Sequence, residues 1–324
     1  MRVGTGGIPR GITVLLLFVG VGCTMAEMQK IQFTRVPGEA PAADSLRLMR
    51  DKGGVLLVVS RTTPTPPLGA NTVFSAFAPA SPGAPWSVLA QVHEVVPAQP
   101  AWDVAAGPDG RPEIVYEKPG GAINALILRN AAGETQPVSA AYPLQSFSAP
   151  RFARPSGVPP AWLTAIADNR TCVAFPPAGS AAYHSLGECA EGLLVKTGVG
   201  FVYLCKTRVP GPVRGNLLSP GRIHIAALDA ELRPAGPPVQ LFGGIVYEFD
   251  ADIIQGRLVV LATTPKGVMI AAGPAQGQAT RLTSLEHALP VALTSPAIVA
   301  GPPGKAYLAA LDAARVVTAE IPVP

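Results

Sequence analysis

Three cysteines sit near the middle of the chain, Cys172, Cys189 and Cys205, and a fourth, Cys23, follows an apolar leader. Thiols so placed can form a disulfide, and three of them allow one bond and one leftover. No C-x-x-C pair and no Cys/His spacing of metal-ligand type occurs, and His93, His184, His224 and His287 are far apart. Neither a metal nor a cofactor is therefore expected. Cations are the second candidate set. Arg61, Lys118, Arg170, Lys206, Arg208, Arg214 and Lys266 fall in segments between apolar runs. Gathered on one rim, such groups would attract an anionic sugar, a phosphate or an acidic protein surface. Glycosidic chemistry needs two positioned carboxyl groups flanking a bond. The sequence offers no such pair in its first repeat, where no acid lies between Asp51 and Glu94.

The elements that must carry these groups are short. Of 324 residues, 48% are hydrophobic and only 14% charged, so a large core is available. The 34 Gly and 36 Pro are spread between short apolar runs, a distribution of many strands and turns. Amphipathic helical spacing is missing. Net charge is +4; Arg2 and Arg10 lie in the leader, so the remainder carries +2. That is too weak and scattered for a nucleic-acid partner. Residues 1–22 combine Arg2 and Arg10 with the apolar run Ile12–Gly22. The run is too short to span a bilayer and has the form of a secretory signal. Val19-Gly-Val-Gly-Cys23 has the form of a lipoprotein processing site, with Cys23 as the lipidated residue; Thr24-Met-Ala26 offers ordinary cleavage instead. The reading is an exported protein at the periplasm or cell surface, a tether over 23–29 and one domain over 30–324. Membrane contact is expected only through the lipid anchor.

Six times the chain gives an apolar strand, a Gly-containing turn, a second apolar strand, a variable loop and a third strand. The turns are at 51–54, 107–110, 154–157, 197–200, 254–256 and 301–304. The second strands are Val55–Val59, Glu113–Tyr116, Ala161–Ala167, Phe201–Cys205, Leu258–Ala262 and Ala306–Leu311. A repeat of about 43–57 residues is that of a four-stranded propeller blade. The last repeat has room for only three strands, and residues 30–36 have no local partner. They resemble Gln278–Thr283, the expected fourth strand of repeat five. The expectation is an all-β, six-bladed β-propeller closed by that N-terminal strand, which also removes an exposed edge. Ligands then sit over the channel, on the face of the loops joining second to third strands. The longest of these loops are 60–71 and 206–221.

The N-terminal third resembles the sialidase-like, BNR-repeat propellers. Phe33-Thr-Arg-Val-Pro37 is similar to the F/Y-R-I-P segment of that family, Gly53–Arg61 to its following strand, and Pro79–Trp86 to a decayed Asp box that keeps Gly83 and Trp86. The resemblance implies that Arg35 belongs to a triad gripping a substrate carboxylate. It also implies a catalytic Asp on the 60–71 loop, a Tyr nucleophile and a Glu. The loop holds no acid, and Tyr203, Tyr247 and Tyr307 cannot be aligned with the nucleophile. No catalytic residue is therefore assigned. The expectation is a non-enzymatic binding or scaffold module for an envelope protein or glycan, with Arg35, Arg61, Lys118, Arg170, Arg208 and Lys266 as ligand-binding candidates. The alternative is a sialidase-like glycoside hydrolase or related carbohydrate-active enzyme.

Strand spacing also makes a disulfide expectation. If Ala182–Leu186 returns antiparallel to the strand opened by Cys172, then Cys172 and Cys189 lie opposite each other and bridge, leaving Cys205 a buried free thiol. The rival Cys189–Cys205 pairing would staple two neighbouring blades. For the leader, Cys23→Ser should release the protein from membranes into the soluble fraction; unchanged processing and location would assign ordinary cleavage near Ala26.

Overall fold

The computed structural model describes residues 34–35, 43–50, 54–65, 69–79, 86–95, 100–120, 123–130, 132–155, 162–177, 182–209, 220–265, 267–275, 283–286 and 293–323. Among them every long regular element is a strand. After β1 (Thr34–Arg35), the first blade is β2 (Ser45–Arg50), β3 (Val55–Thr65), β4 (Gly69–Pro79) and β5 (Trp86–Val95). Blade two is β6 (Trp102–Ala106), β7 (Pro112–Gly120), β8 (Ile123–Arg129) and β9 (Thr135–Pro137). Blade three is β10 (Phe147–Phe152), β11 (Leu163–Ala167), β12 (Thr171–Phe175) and β13 (His184–Glu188). Blade four is β14 (Glu191–Lys196), β15 (Phe201–Arg208), β16 (Gly221–Leu228) and β17 (Val239–Gln240). Blade five is β18 (Glu248–Ile254), β19 (Arg257–Thr264), β20 (Gly267–Pro274) and β21 (Thr283–Glu286). Blade six is β22 (Thr294–Ala300), β23 (Lys305–Asp312) and β24 (Arg315–Pro322), with β1 as its outer strand. The six antiparallel sheets form a six-bladed propeller.

The second strands are apolar on both sides because each blade is buried between two others. In β3, Leu57 and Val59 pack with Ala297, Val299 and Leu311 of blade six. The alternate residues Leu56 and Val58 pack with Trp102, Val104 and Tyr116 of blade two. Each of the six blade interfaces has one such cluster. Removing this apolar area from water, at about 25 cal/mol per Å², drives assembly of the ring. The hairpin turns hold the blades to size. Gly200 closes the turn begun at Thr197, and a Cβ there would lie 2.3 Å from the Leu228 carbonyl.

The ring closes where the sequence places it. Thr34 pairs with Thr318 and Arg35 with Val317 in antiparallel register. Residues 30–33 and 36, like Cys23, the leader and the tether, lie outside the described residues. The expected fourth strand of blade five falls instead at Thr283–Glu286, pairing with β20 from Ala272 to Met269. The loop expected at 60–71 is mostly strand: β3 and β4 pair as far as Thr65↔Gly69.

The expected Cys172–Cys189 disulfide is not present. Cys172, Cys189 and Cys205 are all free and buried. Their strands do pair antiparallel, but Ala174 faces His184, so the register falls short of the expected one before the bulge is reached. Cys172 faces Gly187 and Val173 faces Ser185, so Leu186 is the extra residue. Gly187, at φ +97°, takes the kink that most residues avoid. Cys189 lies beyond the end of β13, where its N–H donates to the Arg170 carbonyl at 2.9 Å.

The closure has a direct test. Deleting residues 30–36 should expose the edge of β24 and lower the melting temperature, each lost hydrogen bond being worth about 0.5–1.5 kcal/mol. An unchanged melting temperature would show that β1 does not hold the ring shut.

Candidate functional site

Each of the first five innermost strands carries ionisable side chains. Apart from Arg50 and Lys196 at strand ends, these are Arg47 on β2, Asp103 on β6, Arg151 on β10, Glu191 on β14, and Glu248, Asp250 and Asp252 on β18. Innermost strands line the axis of the ring, so their charges meet there. Arg154 donates to both oxygens of Asp103, at 3.0 and 3.1 Å. Arg151 donates to Glu191 at 2.5 Å, to Asp250 at 2.7 Å and to the Phe249 carbonyl at 3.1 Å. Lys206 bridges Glu191 at 2.8 Å and donates to the Tyr247 carbonyl at 2.7 Å. The Arg47 Nε lies 3.4 Å from Asp103. All these groups except Arg47 and Glu248 are essentially excluded from water.

Blade five also binds blade six through this face. Alternation along β18 points Glu248, Asp250 and Asp252 the same way. They accept from the backbone N–H groups of Ser295 at 2.6 Å, Ile298 at 3.1 Å and Ala300 at 3.0 Å. Burial by itself raises the pKa of a carboxyl group. At Asp103 it is outweighed by Arg154, Arg151 and Arg47, which hold the group below the usual range. Glu191 is lowered too, by Lys206 and Arg151 against the effect of burial. Asp252 has less compensation. Burial lifts it to about 7, opposed by the Ala300 N–H, Arg154 and the Ile253 N–H.

Above this ionic floor the axis opens into a cavity of about 270 Å³. All six blades contribute to its wall, including Asp44 and Ser45, Trp102, Arg151, Glu191, Glu248 and Ser295. Several wall groups are fixed by partners. Asp44 accepts from the Thr62 N–H at 2.6 Å. Trp102 donates through its indole N–H to Ser45 at 2.6 Å, and Ser45 shares a 2.8 Å bond with Ser60. The Arg47 guanidinium lies 5.6 Å from the Trp102 ring centre. Burial and the neighbouring Arg151 make Arg47 easier to deprotonate than an ordinary arginine, against the pull of Asp103. The wall thus offers carboxylate acceptors, cationic and hydroxyl donors and an aromatic ring.

The cavity opens at the starts of the innermost strands, on the face of the loops between second and third strands. That is where a ligand was expected, but among the described residues the expected cations do not line it. Arg35 is on the outermost strand of blade six. Arg61, Lys118 and Arg208 are exposed. Arg170 is exposed and paired with Glu188. Lys266 lies outside the described residues. Two other expectations are corrected. Lys206 is not a rim cation but a buried partner of Glu191, and Arg154, expected to open the 154–157 turn, is buried in the ionic floor against Asp103. The groups that do line the cavity, Arg47, Arg151, Glu191 and Glu248, were missed. The available signal was a charge inside an otherwise apolar first strand, as in Leu46-Arg-Leu48 and Phe249-Asp-Ala-Asp252.

No known family model matches the chain, and no curated protein matches it in sequence. Solved structures do match in fold. A structure described as glucose dehydrogenase is similar over 90% of this chain and 100% of its own, at 12% identity and a TM-score of 0.50. A GH43_1 enzyme from Xanthomonas citri is similar over 91% of both chains, at 9% identity and a TM-score of 0.45. A GH32 β-fructofuranosidase from Bombyx mori covers 92% of this chain and 82% of its own, at 10% identity and a TM-score of 0.41. At these identities the likeness is one of fold.

Asp252 gives the floor a pH signature. Its folded pKa lies above the unfolded value, so the folded state holds a proton that the unfolded state loses first. Stability should therefore fall between about pH 4 and about pH 7. Asp252→Asn should flatten this slope and raise stability at pH 8 by on the order of 2–4 kcal/mol. Denaturant melts of both proteins at pH 5 and pH 8 read it; parallel slopes would place the protonated group elsewhere.

Proposed function

We propose that the protein is carbohydrate-active, with the axial cavity as the site for a small saccharide and hydrolysis of a glycosidic bond as the reaction its wall serves. One observation carries this reading: three carboxylates from three blades, Asp44, Glu191 and Glu248, line the same cavity. Hydrolysis of a glycoside needs carboxyl groups on either side of the bond and negative charge near the anomeric carbon. Glu191 is held ionised by Lys206 and Arg151, which suits it to stabilise positive charge developing on the sugar. Asp44 and Glu248 each have one oxygen fixed by a backbone N–H, from Thr62 and Ser295. Their other oxygens are left for proton transfer or attack. Ser45 and Ser295 supply hydroxyl groups that can trade hydrogen bonds with those of a sugar.

The cavity is at the small end of ligand sites, roughly 300–1,000 Å³, which suits one or two sugar rings. Its wall carries three carboxylates against Arg47 and Arg151. That balance favours a neutral saccharide over the anionic one that the rim cations suggested. Export, with Cys23 lipidated, belongs to the same proposal, since it would bring the propeller to extracytoplasmic glycans.

The test is a panel of chromogenic neutral glycosides with a fluorogenic sialoside included. Turnover is expected on a neutral member. Glu248→Gln and Asp44→Asn should each lower kcat by about 100-fold or more, with saccharide binding retained. Binding without turnover in the wild-type protein would make it a non-enzymatic binding module, and no saccharide binding at all would overturn the cavity assignment.

A further inference from the structure

Away from the axis, between blades three and four, three thiols and a phenol are buried together. Cys172 comes from β12, Cys189 from the crossing between β13 and β14, and Cys205 and Tyr203 from β15. The fit around them is close. Gly192 faces the group, and a Cβ there would lie 2.4 Å from Cys172 Sγ and 3.2 Å from the Tyr203 hydroxyl. Cys189 and Cys205 interlock. Cys189 donates to the Glu191 carbonyl at 2.9 Å and reaches that of Lys206, the residue after Cys205, at 3.6 Å. Cys205 donates to the carbonyl of Glu188, the residue before Cys189, at 3.5 Å. Each sulfur thus lies against the backbone flanking the other.

We propose that Cys189 is an oxidation site, at which a hydroperoxide oxidises the thiolate and Cys205 then resolves the product to a Cys189–Cys205 disulfide. Exposure selects this pair over one with Cys172. Cys205 is 8% exposed and Cys189 6%, whereas Cys172 is 0% exposed. The environment also selects which sulfur reacts. Burial disfavours a thiolate at Cys189, but the neighbouring Cys172, Cys205 and Tyr203 side chains outweigh it and hold this thiol well below the ordinary cysteine range. Burial pushes Cys172 up, and hydrogen bonding to Cys189 together with burial pushes Cys205 up. One negative charge is thereby shared by a cluster that could not hold two. The thiolate is the reactive form.

The chemistry balances in two steps. The Cys189 thiolate attacks one oxygen of the hydroperoxide, an S–O bond forms and the O–O bond breaks. The other oxygen leaves as the alcohol, or as water from hydrogen peroxide, carrying the proton Cys189 gave up. Cys189 is now a sulfenic acid, oxidised by two electrons. The Cys205 sulfur then attacks it, the S–S bond forms, the S–O bond breaks and hydroxide leaves with the Cys205 proton as water. The site is distinct from the axial cavity but adjoins its wall, since Cys189 donates to the Glu191 carbonyl and Cys205 precedes Lys206.

The test treats the full chain with hydrogen peroxide, blocks free thiols after unfolding, and digests without reduction. Trypsin alone leaves Cys172 and Cys189 on one peptide, so a Glu-specific protease is added; it cuts at Glu188 and Glu191, on both sides of Cys189. A linked pair holding Cys189 and Cys205 is expected, with Cys172 recovered as a free thiol. Cys205→Ala should leave a sulfenic acid at Cys189 that dimedone traps, and Cys189→Ala should abolish both trap and link. A Cys172–Cys189 link, trapping at Cys205, or three free thiols at a dose that converts Met269 to its sulfoxide would overturn the proposal.

Discussion

The fold turns on an ionic contact that no water reaches. Arg154 and Arg151 meet Asp103, Glu191 and Asp250 on the axis, joining innermost strands of blades two, three, four and five. Moving such ions out of water costs several kcal/mol each, and only close pairing offsets it. Here the pairing is dense: Arg154 grips Asp103 by both nitrogens, and Asp103 also accepts from the Phe152 N–H at 2.8 Å. Hydrophobic burial alone would let six similar blades slide or pack in another number. Charges that must each find a named partner fix which strand faces which. The apolar interfaces therefore supply most of the drive to assemble, and the axial ions supply the order.

The same division explains which parts of the structure the sequence displays. Second and third strands are legible because both of their faces are buried, so they read as apolar runs ending in Gly-containing turns. The closing strand is legible because the last repeat lacks an outer strand and residues 30–36 lack a neighbour. Inner strands are harder to see. Their apolar runs are interrupted by Arg47, Asp103, Arg151, Glu191 and Asp250, and such interruptions look like ordinary polar positions until six strands converge. Lys206 and Arg154 show the limit most clearly. Lys206 lies within β15 opposite Glu191 of its own blade, whereas Arg154 follows β10 and is drawn inward by Asp103 of blade two and Asp250 of blade five. Only the ring brings Asp103 and Asp250 near Arg154.

Local backbone detail was hidden for another reason. Cys172 and Cys189 lie on the expected hairpin, but its register is already short at Ala174↔His184, and the extra residue Leu186 shifts it by only one position, which leaves Cys189 beyond the end of β13. A period of two gives strand faces reliably and registers only where no bulge intervenes. The inner strands bulge as well, β10 between Ser148 and Arg151 and β22 between Thr294 and Ala297. Ala149 and Ser295 take positive φ there, at 47° and 49°. Both residues line the cavity. These strained positions re-aim the neighbouring chain, so that the Ser295 N–H meets Glu248 instead of continuing the ladder.

Electrostatics then accounts for a cavity above a filled channel. Deeper along the axis, Arg154 and Arg151 pair closely with Asp103, Glu191 and Asp250. Nearer the face, the balance shifts. Arg151 is already committed to Glu191 and Asp250, and Arg47 leans toward Asp103 and the Trp102 ring. Asp44 and Glu248 are left with backbone donors on one oxygen each. A carboxylate in that position keeps access to solvent, because closing over it would strand an unpaired charge. The cavity therefore persists where the supply of cations runs out, and its wall is acidic for the same reason. A ligand that brings hydroxyl donors to those oxygens completes a pairing the protein leaves open.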